Sequence, residues 1–177
     1  MAAIPLPDPP LTDGVVTLRP WAPEDAPVLA AAWAMPDLQR WTAVPDLRGE
    51  HDARRWIEGT PALRGGGRSL DLLVVDAADR RPLGEVGLSG FGRDGIRSAE
   101  VGWWVLEEER GRGVAAQAVD LLAAWALGPP MHLSEVVAWV DHENPASEKV
   151  AARAGFSRSS DSEGSDTGER WTRSTRA

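Results

Sequence analysis

Residues 110–115, Arg110-Gly111-Arg112-Gly113-Val114-Ala115, stand between an apolar, strand-like run and an alanine-rich helical pattern. A strand that passes through two glycines into a helix leaves backbone N–H groups bare and turns the positive end of the helix to solvent. That arrangement is a socket for a phosphate or pyrophosphate. A Gly-x-Gly triplet alone is a weak signal, because 18 glycines in 177 residues give about two by chance. This chain has three, at Gly65/Gly67, Gly90/Gly92 and Gly111/Gly113. Only the third has a strand pattern before it and a helix pattern after it. Gly65-Gly66-Gly67 follows a helical pattern and reads as its stop. Gly90 and Gly92 flank Phe91 at the end of a strand-like run and read as a hairpin connection.

The order of elements around the socket follows from periodicity. Residues 15–19 read as a strand ending at Pro20. Pro23-Glu24-Asp25 opens a helix that runs through Leu29 and Trp33 towards Pro36, since proline suits a first turn and acids suit its positive end. Residues 50–63 form a second helix, with Ala53, Trp56 and Ile57 at helical spacing. Strands follow at 70–75, 83–88 and 99–105, joined by turns at 79–82 and at Asp94-Gly95. After the socket, Ala115, Ala118, Leu122 and Trp125 keep helical spacing until Gly128-Pro129-Pro130. Residues 135–140 read as a strand buried on both faces. Asn144-Pro145 starts a short helix ending at Ala154-Gly155, and Phe156 begins a further strand. Residues 157–168 are polar and loop-like, and 169–174 form a last edge strand. The pattern is β-αα-βββ-α-β-α-ββ, a mixed α/β sheet without internal repeat.

Composition narrows the function. The length suits one domain with a single core. Residues 1–12 carry four prolines and lack the basic start and apolar centre of a signal peptide. They read as an extended arm, with residues 13–177 as the single domain. No apolar run approaches membrane-spanning length, so no membrane partner is expected. The chain has no cysteine, which removes disulfides and thiol chemistry and fits the cytoplasm. Its three histidines, His51, His132 and His142, show no close ligand spacing, so no metal is expected. The net charge of −8 argues against nucleic acid. It serves solubility or favours a cationic partner such as an amine or a basic peptide.

Four local patterns in this order resemble the GCN5-related N-acetyltransferase (GNAT) superfamily, and within it the RimJ/RimL type that acetylates ribosomal-protein N-termini. They are Leu18-Arg19-Pro20, Glu100-Val101-Gly102-Trp103-Trp104-Val105, the 110–115 run, and Asn144-Pro145-Ala146-Ser147 leading to Ala154-Gly155-Phe156. The resemblance covers roughly residues 13–175. It implies a mostly antiparallel central sheet of about seven strands with four helices, splayed between strands four and five. The family pattern Arg/Gln-x-x-Gly-x-Gly/Ala falls on Arg110, Gly113 and Ala115. The resemblance thus implies that backbone amides across Arg110, Gly111, Arg112, Gly113, Val114 and Ala115 hold the pyrophosphate of acetyl-CoA. It also implies that the pantetheine arm hydrogen-bonds the backbone near Trp104 and Val105. Two features depart from the family. Glu107-Glu108-Glu109 stands where relatives often have a proline, and three carboxylates beside a pyrophosphate are expected to face solvent, partly offset by Arg110 and Arg112. The chain also has no tyrosine, the residue many relatives use as the acid; Ser147 occupies that segment.

Acetyl transfer needs a deprotonated amine, a polarised thioester carbonyl and a proton for the leaving sulfur. Glu100 is the candidate base, drawing a proton through water; the alternative is a strand carboxylate facing solvent or pairing with an arginine. Ser147 is the candidate acid, or else bonds neighbouring backbone. Asn144 contacts the pantetheine arm, caps its helix, or does both. Asp141 and His142 are further candidates for proton transfer. Trp103, Trp104, Trp125 and Trp139 lie in apolar runs and are assigned to the core. Trp33 and Trp41 flank the junction that forms the acceptor wall in this family. They either pack in the core or line a pocket for a cation.

The leading reading is an acetyl-CoA-dependent N-acetyltransferase, a monomer or homodimer, acting on a protein N-terminus or a small-molecule amine. The competing reading is a non-catalytic acyl-CoA-binding module; the presence of both Glu100 and Ser147 favours the enzyme. A nucleotide-binding domain is disfavoured, because Gly111-x-Gly113 lacks the third glycine of the dinucleotide pattern and the Gly-Lys-Ser/Thr of a P-loop.

Overall fold

The computed structural model describes residues 2–46, 49–92, 97–159 and 168–175. The chain runs β1 (Val16–Pro20), a 3-10 turn (Pro23–Asp25), α1 (Ala26–Trp33), α2 (Pro36–Trp41), α3 (Glu50–Gly65), β2 (Leu70–Asp76), β3 (Pro82–Ser89) and β4 (Ser98–Val105). A second 3-10 turn (Glu107–Glu109) leads to α4 (Val114–Leu127), β5 (Glu135–Asp141), α5 (Pro145–Arg153), β6 (Ser157–Arg158) and β7 (Gly168–Ser174). The expected order holds with one addition. Pro36 ends the first helix, as its ring must, but it also occupies the first turn of a separate helix, α2, where a missing N–H costs nothing. The expected Asp94-Gly95 turn lies outside the described residues, as does most of the 157–168 loop.

The seven strands form one sheet in the order β1-β2-β3-β4-β5-β7-β6. All neighbours are antiparallel except β4 and β5. Helices cover both faces, which is why β2 reads apolar without alternation. Leu72 and Val74 enter a core with Ala118, Val119 and Leu122 of α4. Leu73 and Val75 enter a second core with Leu29 and Trp33 of α1 and Ala53 and Ile57 of α3. The N-terminal arm is tied to the body: Ile4 is buried in the first core, its N–H donates to the Arg64 carbonyl at 3.1 Å, and Arg64 Nη1 donates to its carbonyl at 2.8 Å.

The parallel pair positions the site. β4 and β5 are in register only at Ser98↔Glu135, Ala99↔Val136 and Glu100↔Val137. β4 then continues to Val105 and β5 to Asp141, so the strands part into a V. That V corrects one expectation. Trp139, assigned to the core, is 48% exposed; it lies beyond Val137, the last β5 residue paired with β4, and keeps only β7 as a neighbouring strand.

Candidate functional site

The socket at the mouth of the V is built by backbone. Gly111 and Gly113 both adopt the left-handed conformation (φ +74° and +85°), which a side chain strains, and Gly113 is the N-cap of α4. A Cβ on either glycine would meet nothing within 4 Å, so the ground in front of the loop is open. The N–H groups of Val114, Ala115 and Ala116 are in the first turn of α4 and have no intrahelical acceptor. These residues, with Gly111 and Gly113, line a cavity of about 500 Å³ that runs inward past Trp103, Trp104 and Val105 to Asn144 and Ser147.

The carboxylates near the socket do not all face solvent as expected. Glu109 is only 4% exposed. It is held by Arg112, whose Nη1 lies 2.7 Å from Oε2, and by Arg81 on its other oxygen. The negative charge is thus neutralised by two guanidiniums rather than pointed away. Arg112 is spent on this task and does not line the cavity. Arg110 does line it; its Nη2 pairs with Asp37 Oδ2 on α2 at 2.6 Å and its Nε donates to the Val105 carbonyl at 3.3 Å. The loop is therefore braced to both β4 and α2.

A second cavity of about 500 Å³ adjoins it in the V, lined by Arg40, Trp41, Val101, Gly102, Trp139 and Asp141 among others. Trp41, Thr42, Trp103, Asn144 and Ser147 line both cavities. Ser147 thus sits where they meet, in the first turn of α5, and its N–H donates to Asn144 Oδ1 at 3.1 Å. Asn144 caps the helix as well as lining both spaces. Asp141 lines the second cavity, and its Oδ1 accepts the Glu143 N–H at 2.8 Å; His142 stands 3.8 Å from Glu169. Glu100 lines neither cavity. It is half-buried on the sheet face that also carries Gly102 and Trp104, packed against the Gly90 turn so closely that a Cβ there would lie 2.9 Å from its Cδ.

The two acceptor-wall tryptophans separate. Trp33 is buried in the second core, edge-on to Trp56 at 6.1 Å. Trp41 is part of both cavity walls, with the Arg40 guanidinium 4.3 Å above its ring.

Sequence reasoning missed several residues. Lys149 and Arg153, one helical turn apart on α5, line the first cavity and add positive charge near the socket; their i,i+4 spacing was readable once the helix was placed. It also missed a third cavity, of about 200 Å³, on the β2 and β3 side of β4, where Asp71 of β2 and Glu85 of β3 lie among tryptophans. The signal there is a lone carboxylate inside each of two apolar strand runs. Burial, and then the nearby Asp71 charge, push the Glu85 carboxyl up to about 8, against the hydrogen bond from Trp104 and the nearby indole N–H of Trp21. Burial pushes Asp71 up as well, although Ser69 Oγ donates to it at 2.8 Å.

The architecture is that of known acetyltransferases. RimL, a ribosomal α-N-protein acetyltransferase solved with coenzyme A, superposes with a TM-score of 0.76 at 18% identity, over 93% of this chain and 96% of its own. RimJ of Mycobacterium smegmatis, solved with a CoA disulfide, gives 0.77 at 22% identity, over 93% and 85%. The microcin self-immunity acetyltransferase MccE, solved with acetyl-CoA and AMP, gives 0.75 at 18% identity, over 93% and 94%. No curated protein matches in sequence. The model of the acetyltransferase (GNAT) domain matches residues 16–157, a span that holds the socket, the V and Ser147. The chain belongs to the GNAT family of acetyltransferases.

Proposed function

We propose that this acetyltransferase moves the acetyl group of acetyl-CoA directly to a primary amine while both are bound. One observation carries the reading: two cavities line the V and share Ser147 and Trp103 at their junction. The first fits the donor. Its glycine socket presents unpaired N–H groups to the pyrophosphate, Arg110, Lys149 and Arg153 add positive charge, and the Trp104–Val105 backbone with Asn144 receives the pantetheine arm. The second fits the acceptor, with Trp41 and Trp139 as walls.

In this arrangement the amine nitrogen attacks the thioester carbonyl carbon and the carbon–sulfur bond breaks. Glu100 takes the amine proton through water, and Ser147 gives a hydrogen bond or its proton to the departing sulfur, regaining one from solvent. The acceptor is a protein N-terminus or a small-molecule amine. RimL is named for the first class, and the net charge of −8 draws cations of either class. The working place of the enzyme is the cytoplasm, as a monomer or homodimer.

The test is thiol release from acetyl-CoA across a panel of amines and basic peptides, paired with calorimetric titration of acetyl-CoA. Release with at least one acceptor is expected. Gly113→Val, which puts a branched side chain into the open ground at φ +85°, should weaken acetyl-CoA at least tenfold. Unchanged affinity in a folded Gly113→Val protein overturns the socket. Tight acetyl-CoA binding without release from any acceptor points to a binding module instead.

A further inference from the structure

The third cavity is built from one face of the sheet. Across β2, β3 and β4, Asp71, Gly87 and Gly102 fall in one row, and Leu73, Glu85 and Trp104 in the next. Neither glycine carries a side chain to fill the space above it. A Cβ on Gly87 would lie 2.9 Å from Asp71 Oδ1, so the carboxylate of Asp71 folds over that glycine; a Cβ on Gly102 would meet nothing within 4 Å. Glu85 stands beside this hollow and accepts the Trp104 indole N–H at 3.2 Å.

The surroundings are aromatic. Trp33, Trp56, Trp103 and Trp104 line the cavity. Trp33 meets Trp56 edge-on at 6.1 Å, Trp56 meets Trp21 edge-on at 6.3 Å, and Trp21 meets Trp104 at 6.3 Å, so four indoles form an unbroken chain around the acids. Trp21 is 6% exposed and turns its indole N–H toward Glu85, yet makes no hydrogen bond of its own. Among the described residues, no arginine, lysine or histidine forms an ion pair with Asp71 or Glu85. Carboxylates in a low-dielectric site without a counter-cation are costly to ionise, and a cation that arrives there offsets that cost. Indole faces attract cations independently of the carboxylates.

We propose that this cavity is a cation subsite that holds a second, non-reacting ammonium group of the acceptor, between Glu85, Asp71 and the indoles. The placement suits that role. The cavity shares Thr42, Gly102 and Trp103 with the acceptor cavity, so an alkyl chain anchored at Glu85 has a common wall to follow toward the junction that Ser147 lines. The preferred acceptor is then a diamine, or a peptide whose basic side chain lies close to its reacting amine. This rests on the acetyltransferase reading for the reacting end, but not for the binding end.

Binding is therefore measured without the donor. Intrinsic tryptophan fluorescence and calorimetry follow titration with 1,4-diaminobutane and, in parallel, butylamine at pH 8. The wild-type protein should bind the diamine at least tenfold more tightly, and Glu85→Gln, which keeps the shape and removes the charge, should abolish the preference. Asp71→Asn should reduce it. In thiol-release assays with acetyl-CoA, Glu85→Gln should raise KM for the diamine at least tenfold, with kcat within about threefold and the butylamine kinetics unchanged. Equal affinity for the two amines in the wild-type protein overturns the subsite. So does a Glu85→Gln protein that loses kcat with every amine, which makes Glu85 the base. Selective diamine binding without any thiol release leaves the subsite standing and overturns the acetyl transfer.

Discussion

Asn144 Oδ1 accepts the Ser147 backbone N–H at 3.1 Å, so the residue that caps α5 also fixes the turn on which Ser147 is presented to both cavities. The helix cap and the proposed acid are tied here to a single side chain. Pro145, between them, presets the first helical φ and has no N–H to satisfy.

Ser147→Ala removes the hydroxyl and leaves this cap intact. It should lower kcat about tenfold, because a water can partly replace one hydroxyl beside the sulfur. The deficit should shrink for a thioester whose leaving thiol is more acidic. Asn144→Ala should cost about 1 kcal/mol of stability through the lost cap and also lower kcat. Thermal unfolding and steady-state kinetics on the two variants separate the effects. An Asn144→Ala protein destabilised but fully active would show that the cap does not set the position of Ser147.

Glu100→Gln tests the base. The substitution keeps the packing against Gly90 and removes the proton acceptor. kcat should fall by about 10²-fold with acetyl-CoA binding intact, and the pH optimum should move upward, since the amine must then lose its proton to solvent. Wild-type kcat in the folded variant would transfer the role to another group, with Asp141 on the wall of the acceptor cavity the nearest alternative.

Arg19 explains why the end of β1 reads Leu-Arg-Pro. Its two terminal nitrogens hold Asp25 at 2.7 and 2.8 Å, while Asp25 also accepts the Ala22 N–H at 2.8 Å. Burial raises the Asp25 carboxyl, but the hydrogen bonds from Arg19 and Ala22 outweigh it, and the group sits below its ordinary value. Its stabilising contribution is therefore present at neutral pH and is lost as pH falls through the folded-state value. Arg19→Ala leaves Asp25, 6% exposed, without its partner and should cost about 2–4 kcal/mol at pH 7. The cost should diminish as pH falls below about 4, where Asp25 of the unfolded chain takes up its proton, and vanish only below the folded-state value. Chemical denaturation at pH 7 and pH 3.5 checks it; an equal cost at both would show that packing, not charge, is lost.

Glu85 has the opposite sign. Its carboxyl is raised from 4.5 to about 8 by burial and then by Asp71. Its contribution to stability is complete below about 4.5 and is lost as pH rises through about 8. The ligand-free protein should thus melt at least about 5 °C lower at pH 9 than at pH 6. Glu85→Gln should remove most of that slope and be the more stable of the two at pH 9. Calorimetric melting across this range checks it, and parallel curves for the two proteins would show that Glu85 is ionised at neutral pH.

What the sequence by itself determined is local. Apolar spacing and proline and glycine punctuation set the order of elements, and two glycines between a strand and a helix set the left-handed turn that opens α4. These depend on interactions within a few residues or on one repeating period. What only the tertiary structure decided depends on pairs far apart in the chain. Glu109 is buried because Arg81 reaches it from the start of β3. Trp139 is exposed because β4 leaves β5 two residues earlier. Arg110 is braced by Asp37 of a helix that no period announced. Asp71 and Glu85 become a site only when sheet register sets them beside two bare glycines and a chain of indoles. The physical reason is the same in each case. A charge or ring has no fixed meaning until burial sets its dielectric and register sets its neighbour, and both come from strands and helices that meet only in the folded chain.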